Sequence, residues 1–197
     1  MQTAHLVDPV ACAAFLIVAL SGAGVAQTAW FKSRRSARLA IPLDGGRTLF
    51  GRPIFGPNKT WKGFAVMVPA SGLSFLVLSV LALRAPAMGQ RLWALTPWQY
   101  GGLGVIAGIG FMAGELPNSF AKRQLGIPPG EAPRGAVARW VGFTADRLDS
   151  ILGMLAVVTL AVPLRWQAWL LVLGFGPLIH WLFSVALYVL KVKARPA

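Results

Sequence analysis

Residues 63–83 read GFAVMVPASGLSFLVLSVLAL, an unbroken run without one ionisable side chain. About 20 such residues let a helix cross roughly 30 Å of hydrocarbon. Four further stretches share the character, and the expected spans are 9–30, 63–83, 98–120, 150–164 and 166–190. Composition agrees: 56% of the 197 residues are hydrophobic and only 13% are charged, against about a quarter charged in soluble domains. The pattern predicts an all-α membrane protein with five transmembrane helices, a single integral-membrane domain over residues 1–197. Trp30, Trp98, Trp166 and Trp169 fall near span ends, where indole rings favour the headgroup layer.

Charge orients these spans. Segments 31–62 and 121–149 and the C-terminal tail hold all of the 19 lysines and arginines except Arg84, Arg91 and Arg165. The positive-inside rule then sets the N-terminus outside and the C-terminus in the cytoplasm. Two long cytoplasmic loops are left to form a site, in a multi-pass protein of the cell's inner membrane. A net charge of +13 suits any polyanion. Because the cations lie in loops between spans, anionic headgroups and nucleotide phosphates are the expected partners, and nucleic acid is not. The lone Cys12, inside the first apolar run, excludes a disulfide framework and a cysteine metal site.

Only six acids are present: Asp8, Asp44, Glu115, Glu131, Asp146 and Asp149. All but Asp8 fall on the cytoplasmic side, so chemistry is expected there. Asp146-Arg147-Leu148-Asp149-Ser150 stacks two carboxylates on one helix face. At membrane depth such a pair is costly unless something binds it, usually a divalent metal. The competing reading, an N-terminal helix cap, accounts for one aspartate. The third span ends in Gly114-Glu115-Leu116-Pro117-Asn118-Ser119-Phe120-Ala121-Lys122-Arg123. There Glu115, Asn118, Ser119 and Lys122 share a face, either as a metal-and-phosphate strip or as polar groups snorkelling to the headgroups.

The first loop carries Pro42-Leu43-Asp44-Gly45-Gly46-Arg47 and Gly56-Pro57-Asn58-Lys59-Thr60-Trp61-Lys62-Gly63. Its glycines allow backbone amides to approach phosphate, with Lys59 and Thr60 adding a cation and a hydroxyl. The spacing is not that of a P-loop, and no strand precedes it. A juxtamembrane loop with solvated lysines is the plainer alternative. The run Gly102-Leu103-Gly104-Val105-Ile106-Ala107 imitates a dinucleotide fingerprint but lies inside a span, where small residues allow close helix packing.

The order Lys59-Thr60-Trp61-x-Gly63, Ser119-x-x-Lys122-Arg123 and Asp146-Arg147-x-Asp149-Ser150 resembles the CTP-dependent lipid-phosphate cytidylyltransferases. Within them it looks most like the smaller CDP-archaeol synthase branch, bacterial members included, over roughly residues 40–155. The resemblance implies that a lipid phosphate, phosphatidate or an isoprenoid glyceryl phosphate, attacks the α-phosphorus of CTP to give a CDP-lipid and pyrophosphate. It implies Mg²⁺ on Glu115, Asp146 and Asp149, with Asp146, Asp149 and Lys122 catalytic. Lys59, Thr60, Asn58, Ser119, Asn118, Arg123, Arg147 and Asp44 would then bind the substrates. Members of the family tend to dimerise.

Two departures stand out. Glu115 occupies a position that is usually aspartate in the smaller branch, and the Pro-Gly-His-Gly-Gly run of the larger branch is missing. A CDP-alcohol phosphotransferase would need a longer acidic signature than this chain contains. A non-catalytic lipid- or nucleotide-binding membrane protein retaining the fold is the remaining alternative.

Overall fold

The computed structural model of the protein describes residues 7–31, 33–131 and 133–189. Six α-helices account for most of it: α1 Pro9–Phe31, α2 Trp61–Leu83, α3 Pro86–Gly89, α4 Pro97–Gln124, α5 Ala136–Ala161 and α6 Trp166–Val189. A 3₁₀ turn at Arg34–Leu39 and a two-stranded hairpin, β1 Thr48–Leu49 and β2 Arg52–Pro53, lie between α1 and α2. Lys32, His5, Leu190 and the tail cations Lys191, Lys193 and Arg195 lie outside the described residues.

Helices α1 and α2 are long and apolar enough to cross a bilayer, and α6 carries a shorter apolar stretch, Trp166–Ile179. At 23 residues each, α1 and α2 are about 35 Å long. Helix α4 is the centre of the bundle, packed between α2 and α5, while α1 lies against α2 and α6. Glycine makes both α4 contacts possible. A methyl at Gly104 would lie 2.5 Å from the Ser71 carbonyl oxygen of α2, as the small-residue reading of 102–107 anticipates.

The expected span 150–164 differs from the helix observed. Helix α5 starts at Ala136, caps on Gly135 at φ +92°, and ends at Ala161. Its end follows from Pro163, which disfavours helical backbone at the residue before it, and Val162 is accordingly extended at φ −141°, ψ 151°. Its early start shortens the second loop and excludes the capping role for Asp146 and Asp149, which stand well inside the helix. Trp140 and Val141 are exposed on its first turns.

Helix α4 begins with a capping box, Thr96 receiving the Gln99 amide while the Gln99 side chain accepts from the Thr96 amide. It ends where Gly126 adopts φ +73° and the amides of Leu125, Gly126 and Ile127 fold back onto the last-turn carbonyls. Those two signals define the long helix on which the candidate site is built.

Candidate active site

The site assembles where α4 and α5 cross. Gly110, Gly114 and Gly153 let the two backbones touch: a methyl at Gly114 would sit 2.3 Å from the Asp149 carbonyl oxygen, and one at Gly153 equally close to that of Gly110. Such contact is out of reach for any larger residue. It brings the acid of one helix beside the acids of the other.

On α4, Glu115, Asn118 and Lys122 point toward α5, as their spacing predicts. The Asn118 amide nitrogen donates to Asp146 Oδ1 at 2.6 Å and to Asp149 Oδ2 at 2.9 Å. Lys122 pairs with Asp146. The Ser150 hydroxyl donates to Glu115 Oε1 at 2.8 Å and lies 3.4 Å from Asp149 Oδ1. Lys59, from the loop before α2, pairs with Glu115 across 56 residues of sequence. Ser119 is buried on the same α4 face.

The loop that delivers Lys59 is closed on itself. The Trp61 amide donates to Ile41 at 3.0 Å and the Leu43 amide to Lys59 at 2.8 Å, so its two ends meet. Thr60 is the N-cap residue of α2, without a side-chain capping bond, and Asn58 is exposed beside it. The Asp44 carboxylate, only 8% exposed, turns inward to the backbone amides of Gly46, Phe55 and Gly56, each at 2.9 Å. Burial alone raises this carboxyl, and the amides of Phe55, Gly56 and Gly46 outweigh it, holding it below the ordinary value of 3.8.

Two arginines have other partners. Arg123 is buried, donates to the Ile127 carbonyl, and leaves its Nε without a partner among the described residues. It packs under Gly56, whose added methyl would lie 3.5 Å from its Cδ. Arg147 stacks on the Phe143 ring, 3.4 Å from the centroid, and is not gathered with the carboxylates. Sequence reasoning did not single out Arg52 and Gln124, which clasp the loop to α4: Arg52 donates to the Gln124 carbonyl and Gln124 to the Pro53 carbonyl. It also left Ser150 without a role. Its place beside Asp149 was the signal available.

The oxygens of Asp146 and Asp149 converge on one amide nitrogen, a point where positive charge is favoured. Their hard oxygen donors suit Mg²⁺, which commonly takes one or two carboxylates and fills its shell with water and substrate phosphates. Among the described residues no group of three His, Cys, Asp or Glu side chains could hold one ion. Glu115 is instead engaged by Lys59 and Ser150.

A helical membrane protein with carboxylates, lysines and a glycine-rich loop gathered at one end of its bundle has the makings of a phosphate-handling enzyme. The comparisons give its family. The model described as CarS-like, CDP-archaeol synthase, matches residues 38–196, and the chain belongs to that family. It is 36% identical to the CDP-archaeol synthase of Halobacterium salinarum over 168 residues, covering 79% of this chain and 82% of that protein. With the CDP-archaeol synthase of Methanopyrus kandleri it shares 34% identity over 159 residues, 79% of each. A solved intramembrane enzyme of archaeal membrane-lipid biosynthesis has the same fold, at TM-score 0.54 and 24% identity, over 83% of this chain and 89% of that one.

Proposed function

We propose that the α4–α5 face catalyses cytidylyl transfer, with Asp146 and Asp149 holding Mg²⁺ and Lys59 and Lys122 donating to phosphate oxygens. The activity follows from the family: the chain is a CTP:lipid-phosphate cytidylyltransferase whose product is a CDP-lipid. What supports the assignment of residues is the Asn118 amide between two carboxylate oxygens, with Lys122 and Lys59 paired to acids of the same face.

An oxygen of the lipid phosphate bonds to the α-phosphorus of CTP. The bond from that phosphorus to the bridging β-phosphate oxygen breaks, and pyrophosphate leaves with the electron pair. A phosphate monoester is already largely ionised at neutral pH, so no base is required. Alignment and neutralisation of charge are the main demands. Bound Mg²⁺ supplies neutralisation at the phosphate oxygens. Lys59 and Lys122 exchange their carboxylate partners for phosphate oxygens, and Asn118 and Ser150 keep the acids oriented.

In this reading α1, α2, α4, α5 and α6 all cross the inner membrane and the site faces the cytoplasm. The charge asymmetry of the loops supports that orientation. A site level with the headgroups leaves the lipid chains in the bilayer while the phosphate meets cytosolic CTP. Purified protein in detergent is expected to release pyrophosphate from CTP only with Mg²⁺ and a lipid phosphate. Failure with both phosphatidate and an isoprenoid glyceryl phosphate would overturn the reading.

A further inference from the structure

We infer that Asp44 is the positioning residue of the Lys59 loop, and touches neither metal nor substrate. The inference rests on the proposed role of Lys59 as a phosphate ligand. Asp44 sits near the start of a loop whose other end carries Asn58, Lys59 and Thr60. One carboxylate oxygen takes the Gly46 amide, closing an Asx turn at the start of the loop. The other takes the amides of Phe55 and Gly56, on the far side of the hairpin. Three donors in line occupy most of the acceptor capacity of a carboxylate, and at 8% exposure the group has little surface to offer a ligand.

The chain runs from those two pinned amides directly into the segment holding Lys59. Gly56 is fixed twice more: its φ of +86° favours glycine, and Arg123 and Pro129 close over it at 3.5 and 3.4 Å from a would-be methyl. The Gly56 carbonyl then receives the Lys59 amide at 3.3 Å. Asp44 therefore reaches the site through the backbone, by setting where Lys59 meets Glu115.

A double-mutant cycle with loop proteolysis tests this. Arg47 is exposed within the loop, and Asp44→Ala is expected to speed trypsin cleavage after it about tenfold, with Asp44→Glu restoring part of the protection. The same substitution should raise KM for CTP about tenfold and leave KM for the lipid phosphate unchanged. Combined with Lys59→Ala it should cost no more than Lys59→Ala alone. Additive losses, or an unchanged KM for CTP, would overturn the proposal. So would loss of Mn²⁺ binding, titrated without CTP, in an Asp44→Ala protein that still melts cooperatively, because Asp44 would then be a ligand. Protection of Arg47 is read without turnover. A wild type that is inactive but keeps Asp44-dependent protection would sink the proposed activity and leave the pinned loop standing.

Discussion

At the Asp8 end of the bundle most polar side chains bind backbone, whereas at the Asp149 end they chiefly bind one another. Asp8 caps α1 through the Val10 and Ala11 amides and accepts from Arg91 Nε at 2.9 Å. Trp93 donates to the Pro163 carbonyl and Tyr100 to the Trp93 carbonyl, over a dry cluster in which Phe15 meets Phe75 edge-on at 5.3 Å. Those carbonyls are fixed parts of the chain, so no ligand can take their place. Around Asp149 the donors are an amide, a hydroxyl and two ammonium groups, all resting on carboxylates. Partly exposed pairs of that kind are worth about 0–1 kcal/mol. Such pairs break at little cost, which leaves their groups available for the metal and phosphates proposed above, while the opposite end is held chiefly by backbone.

The sharpest test of this contrast is Asp149→Asn. It removes one of the two charges meeting at Asn118, and pyrophosphate release should fall on the order of 10³-fold with the melting temperature nearly unchanged. Chelation of divalent metal should have the same effect on the wild type and be reversed by Mg²⁺. A large drop in stability instead would place Asp149 among the holding groups.

Next comes Gly114→Ala. Its methyl meets backbone, which cannot move aside, so α4 and α5 must part. The expected result is about a 10²-fold loss of activity together with about 1–3 kcal/mol of stability, measured by denaturation in detergent. Gly102, which faces open space, should accept alanine without either effect. Lys59→Ala follows, raising KM for CTP about tenfold while the thermal midpoint stays put.

The smallest effect is expected at the other end. Asp8→Asn should leave turnover unchanged and lower the thermal midpoint slightly at neutral pH. The Arg91 guanidinium, with the Ala11 and Val10 amides, holds the Asp8 carboxyl below the ordinary 3.8. A carboxyl lowered in the folded state stabilises fully above its unfolded value and loses that contribution as pH falls through the folded one. The melting difference between wild type and Asp8→Asn should therefore shrink as pH falls below about 3.8 and vanish only once the pH is below the lower, folded value. A difference that persisted there would mean that the Asp8 charge does not stabilise the fold.

Much of the candidate site's geometry was legible as a set of residue types at helical spacings. Glu115, Asn118 and Lys122 do share a face, and the α5 acids do meet them. The start of α5 was not legible, because Ala136 to Asp149 mixes apolar and charged residues, and only the end signal at Pro163 is strong. Nor does the sequence choose between a ligand's role for Asp44 and the positioning role proposed above, since a carboxylate after a proline-leucine pair and before two glycines suits either.

Sequence alone determined the apolar character of α1 and α2 and which acids and cations were available, because hydropathy and composition are properties of neighbouring residues. Tertiary structure alone decided which of those groups meet. Successive side chains on a helix diverge by about 100°, so Arg147 turns to Phe143 while Asp146 turns to Lys122 and Asn118. How near two helices come is settled where glycine faces backbone, as Gly114 faces Asp149, and that pairing exists only once the chain has folded.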